Sequence, residues 1–142
     1  MRWLLLDEIT EIRKGISAKA RSRIPSEKIS TEVLLIEMMA QTAGVLLGAE
    51  NDFKENVVFA KIETAEFPCQ GDPGETVEIK VSSESLKPEG SWVDGTVENS
   101  RGIFSKAKLM LVNAGSLLPG KTESITFHKA FMDHFKVREK IK

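Results

Sequence analysis

The sequence predicts an α+β domain in which a curved antiparallel sheet wraps around one long central helix. Three observations carry that expectation. The run VLLIEMMAQTAGVLLGA (residues 33–49) is apolar almost throughout and long enough for roughly four to five turns of helix. Several other segments alternate with a period of two, the signature of strands with one wet face. Short turn-forming stretches separate the later segments and favour antiparallel neighbours. A helix apolar on most of its circumference must be buried on most sides. Half-apolar strands need a cover for their inner faces, and the helix can be that cover.

The elements follow in order. A first strand is expected near 8–13, ended by the turn Lys14-Gly15. In ISAKARSRI (16–24), Ile16, Ala18, Ala20, Ser22 and Ile24 fall on one side, and Ser17, Lys19, Arg21 and Arg23 on the other. Pro25 ends this strand, and SEKIST links it to the helix. Ser30 or Thr31 can cap a helix over 32–48, with Glu32 favourably placed in its first turn. After the loop NDFKEN, strands are expected near 57–66, 75–86, 91–100 and 103–113. They are separated by FPCQGDPG (67–74), KPEG (87–90) and Arg101-Gly102, and they read as a four-stranded meander. Asn113 to Thr122 breaks the pattern, so the body spans 1–122 and a tail 123–142. The later part of the tail reads as helix, with Phe127, Phe131, His134, Phe135 and Arg138 at helical spacing.

Composition narrows the function classes. A chain of 142 residues suits one domain, and 41% hydrophobic with 29% charged residues is ordinary for a globular protein. A formal net charge of -1 gives no basic field for nucleic acid. A single cysteine, Cys69, leaves no internal disulfide framework and no cysteine metal cluster, and it reads as a packing residue. No metal or cofactor is expected. MRWLLLDEITEIRKG does not read as a signal peptide, because Asp7 and Glu8 end its apolar stretch at once. The 33–49 run is short for a bilayer and carries Glu37 at mid-length, so no membrane span and a cytoplasmic location are expected.

Glu37 is the residue that needs a reason. A carboxylate in an apolar setting is costly unless it is paired, hydrogen-bonded or protonated. Glu37, Gln41, Gly44 and Gly48 are spaced four, three and four, which puts them on one helical face. The glycines leave room for a close approach to the backbone. Two readings stand: a wet or salt-bridged edge of a packed helix, or the lining of a ligand pocket.

In order and motifs the chain resembles the beta-hydroxyacyl-(acyl-carrier-protein) dehydratases of fatty acid synthesis, which have the hotdog fold. WLLLDEITEI is similar to that family's opening, and VLLIEMMAQTAGVLL to its central-helix motif, with Glu37 and Gln41 on the matching positions. VVFAKIETAEFPCQGDPGETVEIKV and IFSKAKLMLV are similar to later strands and the Pro-Gly turn between them. The resemblance covers roughly residues 3–113. It implies a homodimer or larger assembly, an acyl-carrier-protein or coenzyme A thioester as ligand, and a tunnel beside the central helix. It also implies Glu37 as the catalytic carboxylate and Gln41, Gly44 and Gly48 as substrate-binding residues. In the family a histidine removes the alpha proton while the helix carboxylate protonates the departing hydroxyl.

The chain departs from this pattern at one place. The family has His-Phe-Pro-Gly and a second Pro-Gly just before the helix. Here the segment is ARSRIPSEKISTEVLLIE (20–37), which is shorter and contains no histidine. The two histidines, His128 and His134, lie in the tail. Two function classes follow: an acyl-thioester-binding relative without the usual dehydration, or an active enzyme on acyl thioesters. The enzyme would be a dehydratase with a substitute base or a thioesterase using Glu37. The tail carries Lys129, Lys136, Arg138, Lys140 and Lys142 against Asp133 and Glu139. It reads either as a docking patch for an acidic carrier or as an amphipathic segment packed on the body by its phenylalanines.

Overall fold

The structure, a computed structural model, describes residues 4–87, 89–115 and 129–142. Six strands, β1 (Glu8–Arg13), β2 (Ser17–Arg23), β3 (Asn56–Glu66), β4 (Thr76–Ser85), β5 (Ser91–Asn99) and β6 (Gly102–Gly115), surround one long helix, α1 (Thr31–Glu50). They form a single antiparallel sheet in the order β1-β2-β4-β5-β6-β3. All six pack against α1. This is the hotdog fold, as the alternation around one apolar helix predicts.

Strand order is where the meander expectation needs correcting. β4, β5 and β6 are consecutive neighbours, but β3 pairs with β6 at the far edge and β4 pairs with β2. The loop after β3 carries the chain across the N-terminal end of α1. A Cβ on Gly71 of that loop would lie 2.8 Å from the Ile24 side chain and 3.6 Å from Phe104 and Thr31. The backbone of Ile24 is bonded on both sides, donating to Glu75 O (2.9 Å) and accepting from Gly74 N (2.8 Å). The β2–β4 pairing therefore runs on past the end of β2.

The core is the inner faces of the strands closed on α1. Ala18, Ala20, Val77, Ile79, Val81, Val93, Val97 and Leu109 are buried against Leu35, Met38, Met39 and Leu46 of the helix. Each large buried aliphatic side chain contributes about 1.5–3 kcal/mol relative to exposure. Helix and sheet approach closely at β5, where a Cβ on Gly95 would lie 2.8 Å from the Met39 sulfur. Gly95 normally weakens a strand interior, and here it makes room for a core side chain. Ile16, read as the first inward residue of β2, sits in the β1–β2 turn and is 62% exposed.

The tail does not form the continuous helical stripe that the spacing suggested. Helix α2 (Lys129–Phe135) stops at Lys136, whose φ of 50° is left-handed, and a 3₁₀ turn (Val137–Lys140) follows. Phe135 and Val137 are buried, whereas His134 and Arg138 are exposed, so the stripe divides. Ile141 then bridges to Ile12 in parallel, and Lys142 N–H donates to Ile12 O (2.7 Å). The tail thus covers the free edge of β1, an edge that otherwise invites pairing with another chain. Phe127, His128 and the body–tail boundary near 122 lie outside the described residues.

One surface cluster fixes the loop over the α1 N-terminus. The Arg101 guanidinium donates to Glu75 from Nε (2.9 Å) and Nη2 (2.7 Å), and Nη2 also donates to Gln70 O (2.7 Å). Asp72 N–H donates to the same carboxylate (2.9 Å). The Arg101 bonds first, then the Asp72 amide, hold the Glu75 carboxyl down to about 2 from its ordinary 4.5. A depressed acid adds stability that is present above its unfolded value and lost as pH falls through the folded one. Glu75→Gln is therefore expected to lower the urea midpoint at pH 7, with the deficit against the parent chain shrinking between pH 4.5 and about 2. Urea titrations across that range check it, and a deficit independent of pH would contradict it.

Candidate functional site

The site is built on α1. The Ser30 hydroxyl accepts from Val33 N–H (3.3 Å) and starts the helix, with acidic Glu32 in the first turn. At the other end the Gly48 carbonyl accepts from Asn51 N–H (3.2 Å) and Phe53 N–H (2.8 Å). Asp52 and Phe53, at φ 57° and 60°, make this tight reversal in a left-handed conformation that aspartate tolerates and that is uncommon for a bulky residue such as Phe53. By length and composition α1 could cross a membrane, yet most of it is buried inside the protein's own sheet.

The Glu37–Gln41–Gly44–Gly48 face changes character along its length. Val33, one turn before Glu37, is 56% exposed. Glu37 and Gln41 are half-buried, and Gly44 and Gly48 are buried. A Cβ built on Gly44 would meet no atom within 4 Å, so open space lies beside that buried glycine. The face therefore runs from solvent, past a half-buried carboxylate, to a buried glycine with room for an added methyl group.

Glu37 is held by a defined chain of bonds. Gln41 Nε2 donates to Glu37 Oε1 (3.2 Å), and Gln41 Oε1 accepts from the backbone N–H of Leu5 (3.0 Å). Leu5 belongs to the segment before β1, where Leu5 and Leu6 are both buried. The Ser22 hydroxyl of β2 donates to Leu5 O, and Asp7 N–H donates to Arg21 O (3.0 Å). Among the described residues no ion pair takes Glu37, so its bonded neighbour is a neutral amide. Sequence reasoning missed the roles of Leu5 and Ser22, because these links join backbone and side chain across 36 residues (Leu5–Gln41) and 17 residues (Ser22–Leu5).

Other sequence candidates are not brought to this face. His134 is exposed on α2, edge-on to Phe135 with ring centroids 4.7 Å apart, and the tail packs on β1. Two of the tail's charges are engaged with the body: Arg138 pairs with Asp52 and lies over the Phe53 ring (5.6 Å), and Lys140 reaches Glu8 (3.7 Å). Cys69 is half-buried, and a Cβ on Gly102 would lie 3.1 Å from its sulfur, in keeping with a packing residue. A groove of about 530 Å³ crosses the outer face of the sheet between Lys19, Lys80, Asp94, Lys106 and Lys108, and no α1 residue lines it. Three of its four lysines have acidic partners, Lys80 with Glu98 (2.7 Å), Lys108 with Glu84 (2.8 Å) and Lys19 with Glu11 (3.7 Å). That pattern is a solvated charged face rather than a site.

The fold defines the class of protein: a hotdog domain, six antiparallel strands around one helix, with the carboxylate of Glu37 half-buried on that helix. No family profile matches the chain. Curated relatives do. The chain is 30% identical over 122 residues to the 3-hydroxyacyl-[acyl-carrier-protein] dehydratase FabZ of Polaromonas sp. strain JS666, covering 75% of this chain and 84% of that protein. It is 32% identical over 124 residues to the FabZ of Clostridium botulinum strain Okra, covering 78% and 85%. Among solved structures, a hypothetical thioesterase protein with coenzyme A from Streptococcus pneumoniae TIGR4 superposes with a TM-score of 0.63 at 15% identity, covering 77% of this chain and 86% of that one. The chain belongs to the FabZ dehydratase family.

Proposed function

We propose that this protein binds acyl thioesters along the open face of α1, and that it does not carry out the usual dehydration of its family. The observation that carries this reading is Glu37. It is half-buried, oriented by a neutral amide, and followed on the same face by the open space at Gly44. A thioester placed at Glu37 would lay its acyl chain past Gln41 toward Gly44 and Gly48. The carrier is acyl carrier protein or coenzyme A, and the place of action is the cytoplasm.

The missing partner is a base. Dehydration needs one group to take the alpha proton and another to protonate the leaving hydroxyl. A single carboxylate cannot do both at separated atoms in one step. The segment that leads into α1 holds no histidine, and His134 faces solvent on the tail. Losing a general base lowers rate by about a hundred- to ten-thousandfold. A second reading, thioester hydrolysis with Glu37 activating water, is favoured by the absence of a cation partner among the described residues. It needs one base only.

The same reading includes a homodimer, and the exposed edge of the sheet supports it. β3 is exposed along most of its length, with Val58 43%, Ile62 46% and nearby Phe67 39% exposed. The opposite edge, β1, is covered by the tail. A second copy pairing at β3 would cover these apolar residues and give a homodimer. Light scattering at micromolar concentration is expected to give at least a dimer; a monomer would contradict it.

For activity, hydration of a crotonyl thioester by the purified protein is expected to be absent or about a hundredfold or more below that of an intact dehydratase. The assay is run beside Glu37→Ala, His128→Ala and His134→Ala. Robust turnover that disappears with Glu37 and with one histidine would overturn this reading and assign the tail as the source of the base.

A further inference from the structure

We infer that Gln41, on the reading of Glu37 as the thioester-facing group, is a positioning residue rather than a ligand contact, and that the backbone of Leu5 sets which way its amide faces. The Leu5 N–H can only donate, so the atom of Gln41 that meets it at 3.0 Å must be the carbonyl oxygen. That leaves the amide nitrogen pointing at Glu37 Oε1, 3.2 Å away. The orientation of the carboxylate is thus set by a donor whose own orientation is set by main chain. Leu5 is in turn held by burial of its side chain and by the Ser22 hydroxyl on its carbonyl. Three elements meet here: the segment before β1, strand β2 and helix α1.

Side-chain chemistry makes the arrangement one-directional. Glu37 as a carboxylate only accepts, and Gln41 is the neutral side chain with both a donor and an acceptor on one planar group of the right reach. Leucine at 41 would keep volume and lose the bonds to Leu5 and to Glu37. Glutamate at 41 would still accept from Leu5 while turning an oxygen, not an N–H, toward Glu37. The two substitutions therefore separate the Leu5 link from the Glu37 link.

The test uses the full-length protein and a non-hydrolysable acyl-pantetheine thioether as probe. In Gln41→Leu the Leu5 amide is expected to exchange with solvent about tenfold faster, and in Gln41→Glu at the parent rate. In Glu37→Ala the Gln41 side-chain amide resonances are expected to move while Leu5 protection stays. Thioether affinity is expected to fall about tenfold in Glu37→Ala and in Gln41→Leu, and no further in the double variant, because one residue acts through the other. Additive losses in the double variant would make Gln41 a separate ligand contact and overturn the inference. So would Gln41 amide resonances that stay in place in Glu37→Ala. An affinity unmoved by Glu37→Ala would instead sink the reading of Glu37 as thioester-facing, while the resonances and the Leu5 exchange still decide what Gln41 does.

Discussion

The structure depends on enclosing one helix. α1 offers apolar side chains around most of its circumference, and a helix of that kind is stable in water only when other elements cover it. Six strands do so, with small or β-branched residues inward on β1, β2, β4 and β5 and larger ones, Phe104, Leu109 and Leu111, on β6. The small residues are specific to the approach: Ala18 and Ala20 on β2 and Gly95 on β5 let the helix sit close to the sheet. The face of α1 that remains open, from Val33 through Glu37 and Gln41, is what the enclosure leaves over. The candidate site and the core are therefore set by the same packing.

A polar stripe on such a helix is costly to maintain without partners. Gln41 meets that cost for Glu37, and main chain meets it for Gln41. The segment before β1 would otherwise have little reason to cross α1 at this height. Its buried leucines and its two anchors on β2, at Ser22 and Arg21, hold it there. At the helix's far end, Arg138 of the tail rests on Phe53 and pairs with Asp52, next to the residues that close the helix through the Gly48 carbonyl. Both ends of the chain thus brace the element that carries Glu37.

Much of this was legible in the residues. Alternation at β2 and β4, with turn signals and β-branched or aromatic composition elsewhere, located all six strands to within two residues at either end. The stripe on α1 followed from spacing alone. What alternation does not encode is strand order: β3 has the composition of a meander strand, yet it pairs with β6 because the 67–75 loop crosses the end of α1. Ile16 counted as an inward residue by parity, but the turn at Gly15 releases it. The tail read as one helix because its phenylalanines are well spaced; the left-handed Lys136, a lysine with no local signal for that conformation, divides it. The Leu5–Gln41 link had no sequence signature, since its donor is backbone.

The central claim is that the open face of α1 receives an acyl thioester. A crystal structure of the protein soaked or co-crystallised with an acyl-pantetheine thioether tests it most directly. The account predicts the sulfur end of the ligand beside Glu37, with the acyl chain running past Gln41 into the space at Gly44. A ligand seated in the charged groove on the outer face of the sheet, with the α1 face empty, would contradict it.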